Sequence, residues 1–265
     1  MQPLTNVAVS AARRAGDVIL SYYRRGDTGD VTRKSENDYV TEADQRAEAS
    51  IIESIRRSYP DHAFLAEESG ESDNTGESDT MWIIDPIDGT TNFMHGIPHF
   101  CVSIACQVKG VVETAVIYDP AKDELFTAER GSGASVDGRR MRVSKNIKLR
   151  EAILSTGFAY RRNHDIATHM PLYNRLLSAS GHIRSSGSAA LDLAYVAAGR
   201  LDGYWEMGLS PWDMAAGMLM VRAAGGIASD SHDNEVNPLD TGNILAANPK
   251  LYPQLLEKIS KTPRG

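Results

Sequence analysis

The chain has 265 residues, 42% of them hydrophobic, with a formal net charge of −7 and a pI near 5.5. That length can bury a large core, as one α/β domain or two closely packed lobes, roughly 1–145 and 146–265. The acidic balance disfavours direct nucleic-acid binding, which needs concentrated Lys and Arg. No signal-peptide pattern and no bilayer-length apolar run occurs, so the cytoplasm is the expected location and no membrane partner is expected.

Leu4, Val7, Ala8, Ala11, Ala15, Val18, Ile19 and Tyr22 recur at helical spacing, which predicts a helix over 4–24 that Gly26 ends. A second helix is predicted from Thr41 to Tyr59, with Thr41 as its cap, Ala47, Ile51, Ile52 and Ile55 inward, and Pro60 as its stop. Residues 69–80 carry no apolar periodicity and should form an exposed loop. Met81 to Ile84 is a short apolar run that suits a strand covered on both faces, leaving Asp85 at the carboxyl end where α/β sheets collect ligands. Pro86 and Gly89 shape a turn in which Asp85 and Asp88 can converge on a metal. Thr90 or Thr91 can then open a short helix whose free N–H groups face an anion, phosphate being the natural occupant. Asp-Pro and Asp-Gly also punctuate ordinary turns, so these residues alone leave both readings open.

From 100 to 143 the pattern is a β meander: Val102 to Val108, Val111 to Tyr118, Glu124 to Ala128 and Met141 to Val143. Gly131 to Val136 lacks the third glycine of a dinucleotide loop and reads as a hairpin turn. His95 and His99 flank Gly96 and Pro98, which argues against a helical zinc pair, and Cys101 with Cys106 has neither zinc nor redox spacing. Later segments alternate. Strands are predicted at Ile153 to Thr156, Gly203 to Glu206, Gly226 to Ser229 and Ile244 to Ala247, and helices at Pro171 to Leu177, Ser188 to Gly199, Pro211 to Ala224 and from Leu251. This order fits an α+β (mixed α/β) fold of layered sheets and helices. Trp82, Trp205 and Trp212 lie in apolar runs and read as core.

Several strings resemble one family. Asp-Pro-Ile-Asp-Gly-Thr-Thr-Asn-Phe, residues 85 to 93, is similar to the central signature of the inositol monophosphatase family, within the lithium-sensitive, magnesium-dependent phosphatases. Ala66-Glu67-Glu68-Ser69, Val40-Thr41-Glu42-Ala43-Asp44, and Trp212-Asp213-Met214-Ala215-Ala216-Gly217 followed by Ala224-Gly225-Gly226 resemble its other elements in order and spacing. Residues 184 to 203 resemble its bacterial SuhB-type branch, and the likeness runs from about residue 4 to about residue 260. The resemblance implies an α-β-α-β-α sandwich of the sugar-phosphatase type, which periodicity alone does not give.

It also implies a site. Asp85 would bridge two magnesium ions, Glu67 and the Ile87 carbonyl would join the first, Asp88 and Asp213 the second, and a third, weaker ion would sit by Glu67. These are hard oxygen donors without His or Cys, which favours magnesium over zinc, with manganese as a substitute. The family mechanism is direct attack by a metal-bound water, with Thr90 and Asp44 orienting or deprotonating it and Glu67 sharing the task. Gly187, Ser188, Ala189 and Glu206 match the segments that meet substrate hydroxyls, and Asp88, Gly89, Thr90 and Asp213 complete the substrate site. Lys34 and Ser35 match a loop that closes on metal and phosphate. Without the resemblance, Asp213 reads as an N3 capping partner of Ser210, Asp44 as one of Thr41, Gly187 as a residue near a helix start, and Glu67 and Glu206 as surface charges.

The expected substrate is inositol monophosphate, a small phosphorylated polyol. Nucleotide bisphosphates, histidinol phosphate and fructose bisphosphate are the alternatives, since one metal centre can serve different outer contacts. The resemblance also implies a homodimer, lithium inhibition and, in a dual role, a transcription-linked protein partner.

Overall fold

The computed structural model of the protein describes residues 2–26, 29–35, 38–71, 78–158, 166–231 and 236–260. Helix α1 (Pro3–Tyr23) starts on a proline that needs no helical N–H and buries Ala8, Ala11, Ala12, Ala15 and Ile19. Strands β1 (Val31–Ser35) and β2 (Asp38–Thr41) form an antiparallel hairpin that leads directly into α2 (Glu42–Arg56). Thr41 caps α2, which ends three residues short of the Tyr59 expected. The side chains of Lys34 and Ser35, matched to a closing loop, lie outside the described residues, as do residues 72–77 of the expected exposed loop.

The main sheet follows in near-sequential order. It contains β3 (Ala63–Ala66), β4 (Gly70–Glu71), β5 (Thr80–Asp88), β6 (Cys101–Val108), β7 (Val111–Asp119), β8 (Glu124–Glu129), β9 (Gly133–Val136) and β10 (Arg139–Arg140), with α3 (Thr90–Met94) between β5 and β6. Its eight strands run β10-β9-β8-β7-β6-β5-β3-β4. β5 is parallel to β3 and antiparallel to β6, from which the meander continues. Gly133 to Val136 is thus a strand, since Gly133 pairs with Glu129 and Val136 with Phe126. The strand expected at Met141 to Val143 is displaced to Arg139–Arg140, because the Val143 N–H turns to the Ala224 carbonyl at 3.3 Å instead of a neighbouring strand.

The second half contains β11 (Ile153–Thr156), α4 (Ile166–Ser180), β12 (His182–Arg184), α5 (Ala189–Ala197), β13 (Gly203–Glu206), α6 (Pro211–Ala223), β14 (Ile227–Ser229), α7 (Pro238–Thr241), β15 (Ile244–Ala247) and α8 (Tyr252–Ser260). Five of its strands form a second sheet in the order β12-β11-β13-β15-β14. Pro171 falls inside α4 instead of opening it. A proline there removes one backbone bond, and the buried Leu172 and Leu176 hold the helix through packing.

Three apolar clusters define the stacking. Trp82, Ile84, Val102, Ile104 and Val116 meet α1 and α2 on one face of the large sheet. On its other face Ile83, Ala105, Ala115 and Ile117 join α5 and α6, which also touch Tyr204, Ile244 and Ala246 of the second sheet. Trp205, Leu245 and Ala247 point away from that layer, to α4 and α8. Strand alternation therefore builds the α-β-α-β-α sandwich, with α5 and α6 as its middle layer.

Candidate metal centre and substrate cavity

The carboxylates of β5 converge because the strand contains an irregularity. Ile83 faces α5 and α6, and Ile84 faces α1 and α2, so Asp85 follows Ile83 toward the middle layer. In an unbroken strand Asp88, three residues on, would point the other way. The register against β6 shifts instead: Asp85 lies opposite Ser103 and Asp88 opposite Cys101. One extra residue on β5 makes a bulge that turns Asp88 back to the face of Asp85. Pro86 is tolerated there since pairing with β3 stops at Ile84, leaving only β6 alongside. The strand therefore runs through Pro86 to Asp88 and does not end at Ile84. Gly89, at φ 98°, then makes the left-handed step that starts α3.

The third carboxylate comes from α6. Pro211 takes the first helical position, and the Ser210 N–H donates to Asp213 Oδ2 at 2.7 Å, so Asp213 does cap the helix start. Capping and metal binding are compatible, because each carboxylate has a second oxygen. Asp88 is similar: its Oδ2 accepts from the Ser188 hydroxyl at 2.6 Å and the Ala190 N–H at 2.7 Å.

One ligand oxygen from each of Asp85, Asp88 and Asp213 lies within 4.8 Å of the others, and all three residues are buried. At that separation and an effective dielectric of about 20, each ionised pair repels by about 3.5 kcal/mol, or about 10 kcal/mol for three pairs. The N–H and hydroxyl donors on Asp88 and Asp213 offset part of that, and protons or a cation can offset the rest. Buried, hard, all-oxygen donors suit a divalent cation of the magnesium or manganese class.

Glu67 is half-buried at the end of β3, its N–H donating to the Ile84 carbonyl at 3.1 Å, and it stands outside the close trio of aspartates. Its charge reaches Asp44. Burial, chiefly, and Glu67 push the Asp44 carboxyl up to about 6, against hydrogen bonds from Thr41 and Thr90. Asp44 caps α2 through Oδ2, which accepts the Thr41 N–H at 2.8 Å, while Thr90 Oγ1 approaches Oδ1 at 3.3 Å. The same hydroxyl lies 3.0 Å from the Ile87 carbonyl. Thr90, Asp44 and the bulge carbonyl are thus in one hydrogen-bonded group.

A cavity of about 310 Å³ opens beside the trio, and Asp88, Gly89, Thr90, Gly187, Ser188, Ala189, Glu206 and Asp213 all line it. A larger cavity, about 570 Å³, lies around the C-terminal half of α6 and contains none of these residues. Ser188 is the N-cap of α5, accepting from the Leu191 N–H at 3.3 Å. Glu206 is buried at the end of β13, where the Tyr204 hydroxyl donates to it, and burial pushes its carboxyl up to about 8. A Cβ on Gly157 would sit 2.2 Å from a Glu206 oxygen, so a side chain there would displace that carboxyl.

Sequence reasoning missed Asp192 and Asn92. Asp192 is buried on α5 with Oδ2 accepting from Ser155 Oγ at 2.7 Å, and burial raises its carboxyl to about 7. The available signal was a lone carboxylate inside the apolar run 189–197. Asn92 lies inside the signature string 85–93, but its role was not legible there, since its partners are fixed only in the folded chain.

Comparison with known proteins gives a consistent pattern. The model of the inositol monophosphatase family matches residues 1–264. "Nus factor SuhB" of Escherichia coli (strain K12) is 50% identical over 256 residues, spanning 97% of this chain and 95% of that protein. The crystal structure of the extragenic suppressor protein suhB from Bartonella henselae superposes with a TM-score of 0.94 at 42% identity, covering 99% of this chain and 100% of that one. Inositol monophosphatase from Anabaena (Nostoc) sp. PCC 7120 gives 0.87 at 40% identity, with 98% and 96% covered.

Proposed function

The chain belongs to the inositol monophosphatase family, a family of phosphatases, and we propose that it is a magnesium-dependent enzyme hydrolysing inositol monophosphate to inositol and phosphate. The observation that carries this is the buried trio Asp85, Asp88 and Asp213 at the edge of a cavity lined by polar groups. Asp85 would bridge two ions, with Glu67 and the Ile87 carbonyl on the first and Asp88 and Asp213 on the second. A third, weaker ion by Glu67 and replacement by manganese belong to the same proposal. Bound divalent cations would polarise the phosphoryl oxygens, acidify water and stabilise a departing alkoxide.

The protein's own groups do the rest. Thr90 and Asp44 orient the attacking water: the Thr90 hydroxyl accepts its proton as Asp44 accepts that of Thr90. Asp44 is a carboxylate, and so an acceptor, above about pH 6. The first N–H groups of α3, at Thr90 and Thr91, face the phosphoryl oxygens. The backbone at Gly187 to Ala189 and the Glu206 carboxyl hold hydroxyls of the polyol, with Asp88 and Asp213 completing that wall and Gly89 beside Thr90 at the phosphate end.

Phosphate release with magnesium from inositol, nucleotide, histidinol and fructose phosphates tests the assignment. Fastest turnover of inositol monophosphate supports it; release from another ester alone reassigns the substrate, and release from none removes the enzyme reading.

A second role is proposed from the name Nus factor carried by the relative at 50% identity: binding of a transcription-linked protein. An Asp88→Asn variant that loses phosphatase activity yet retains a partner would separate the two roles. The chain is further proposed to form homodimers, to be inhibited by lithium and to act in the cytoplasm; among the described residues no helix is long and apolar enough to cross a membrane.

A further inference from the structure

We infer that Asn92 is a positioning residue that sets the spacing between the phosphate end and the alcohol end of the cavity, and thereby the preference for polyol phosphates. The inference rests on the substrate orientation proposed above, with phosphate at Gly89 and Thr90 and hydroxyls at Gly187 to Ala189.

Asn92 lies on α3, is 9% exposed, and belongs to the same short helix as Thr90. A carboxamide nitrogen has two N–H groups and no more. Both are engaged: Nδ2 donates to the His99 carbonyl at 2.7 Å and to the Ser186 carbonyl at 2.8 Å. The first bond closes the turn that follows α3. The second crosses 94 residues to the segment immediately before Gly187. Two glycines make the approach feasible. Gly187 has φ +86°, and a Cβ on it would sit 2.9 Å from Asn92 Nδ2; a Cβ on Gly89 would sit 3.2 Å from the Gly187 carbonyl oxygen. The backbones that meet phosphate and alcohol are therefore in contact; the Asn92 amide ties them before Gly187, and Asp88 Oδ2 ties them after it through Ser188 and Ala190.

A residue that only stabilised the fold would affect every substrate equally. A residue that sets this spacing should matter to a substrate whose hydroxyls reach Gly187 to Ala189 and be nearly neutral for one that lacks them. Displacements of about 1 Å can cost about 100-fold in rate. Asn92→Asp is nearly isosteric and replaces both donors by an acceptor facing two carbonyls. Asn92→Ala removes both bonds without adding a charge.

The experiment compares kcat/KM for inositol monophosphate with kcat/KM for 4-nitrophenyl phosphate, using the full chain with magnesium. The ratio of the two does not depend on how much of a preparation is folded. The expected result is a fall in that ratio of about 10-fold to 100-fold in both variants, mainly through KM for inositol monophosphate. An unchanged ratio in folded variants would overturn the role of Asn92, and so would failure of both variants to fold, which would make Asn92 a folding determinant. Wild-type protein inactive on both esters would instead overturn the phosphatase reading on which the inference stands.

Discussion

Asp213→Asn isolates the charge of the proposed metal centre from its architecture. An asparagine carbonyl can still accept the Ser210 N–H that Asp213 Oδ2 now accepts at 2.7 Å, so the start of α6 keeps its cap. What changes is one negative charge that faces two others within 4.8 Å. Two repelling pairs at about 3.5 kcal/mol each amount to about 7 kcal/mol between fully ionised groups, which partial protonation of the trio reduces. Metal-free Asp213→Asn protein should therefore be more stable than wild type by about 2 kcal/mol or more, a rise in Tm of about 4–8 °C for a chain of this size. Saturating magnesium should reverse the order, because a ligand at 100 times its Kd stabilises by about 2.7 kcal/mol and the variant has lost a ligand. The assay is thermal unfolding of both proteins in chelator and in magnesium. A variant less stable than wild type without metal, with neither protein responding to magnesium, would refute the electrostatic reasoning.

Further outcomes are expected. Thr90→Val removes the hydroxyl shared by Asp44 and the Ile87 carbonyl and should lower kcat by about 100-fold or more with little change in Tm, measured by steady-state phosphate release. Glu206 has its carboxyl raised by burial from 4.5 to about 8, so the folded state binds the proton more tightly than the unfolded chain. Its contribution to stability is complete below about pH 4.5 and is lost as pH rises to about 8, by at most about 5 kcal/mol; metal-free Glu206→Gln should show a flatter dependence in urea titrations at pH 5 and 8. Lithium should inhibit magnesium-supported turnover, and full activity at high lithium would count against the second-ion assignment to Asp88 and Asp213. The shared middle layer of α5 and α6 should make both halves unfold together, which calorimetry tests as one transition.

Local features of the fold were the readable ones. The periodicity of α1, the cap at Thr41 and the Ser210-Pro211 start of α6 are each written within a few residues, and each forms where expected. β1 is polar and β12 only three residues long, so neither has a hydrophobic pattern to detect. The displaced β10 depends on where Val143 finds its partner, which is contact information. Which face of each sheet meets which helices also needs three-dimensional pairing, and only the family likeness supplied the layered order in advance.

The site divides the same way. Asp85, Asp88 and Asp213 lie in distinctive strings, but their convergence depends on a bulge defined by pairing with β6. Asp44 and Asp213 were ambiguous between cap and functional group, and each does cap its helix; Asp213 also lines the cavity, and Asp44 reaches it through the Thr90 hydroxyl. Glu67, expected among the ligands, is not one of the three carboxylates that lie within 4.8 Å of one another, and its charge acts on Asp44. Asn92 and Asp192 act through partners that sequence spacing cannot supply.

Anomalous diffraction from crystals soaked in manganese examines the metal centre without reference to any substrate. Strong anomalous peaks about 2.2 Å from carboxylate oxygens of Asp85, Asp88 and Asp213 are the predicted result. Empty density there, with those side chains turned away or neutralised by neighbouring Lys or Arg, would contradict a divalent-cation centre in this protein.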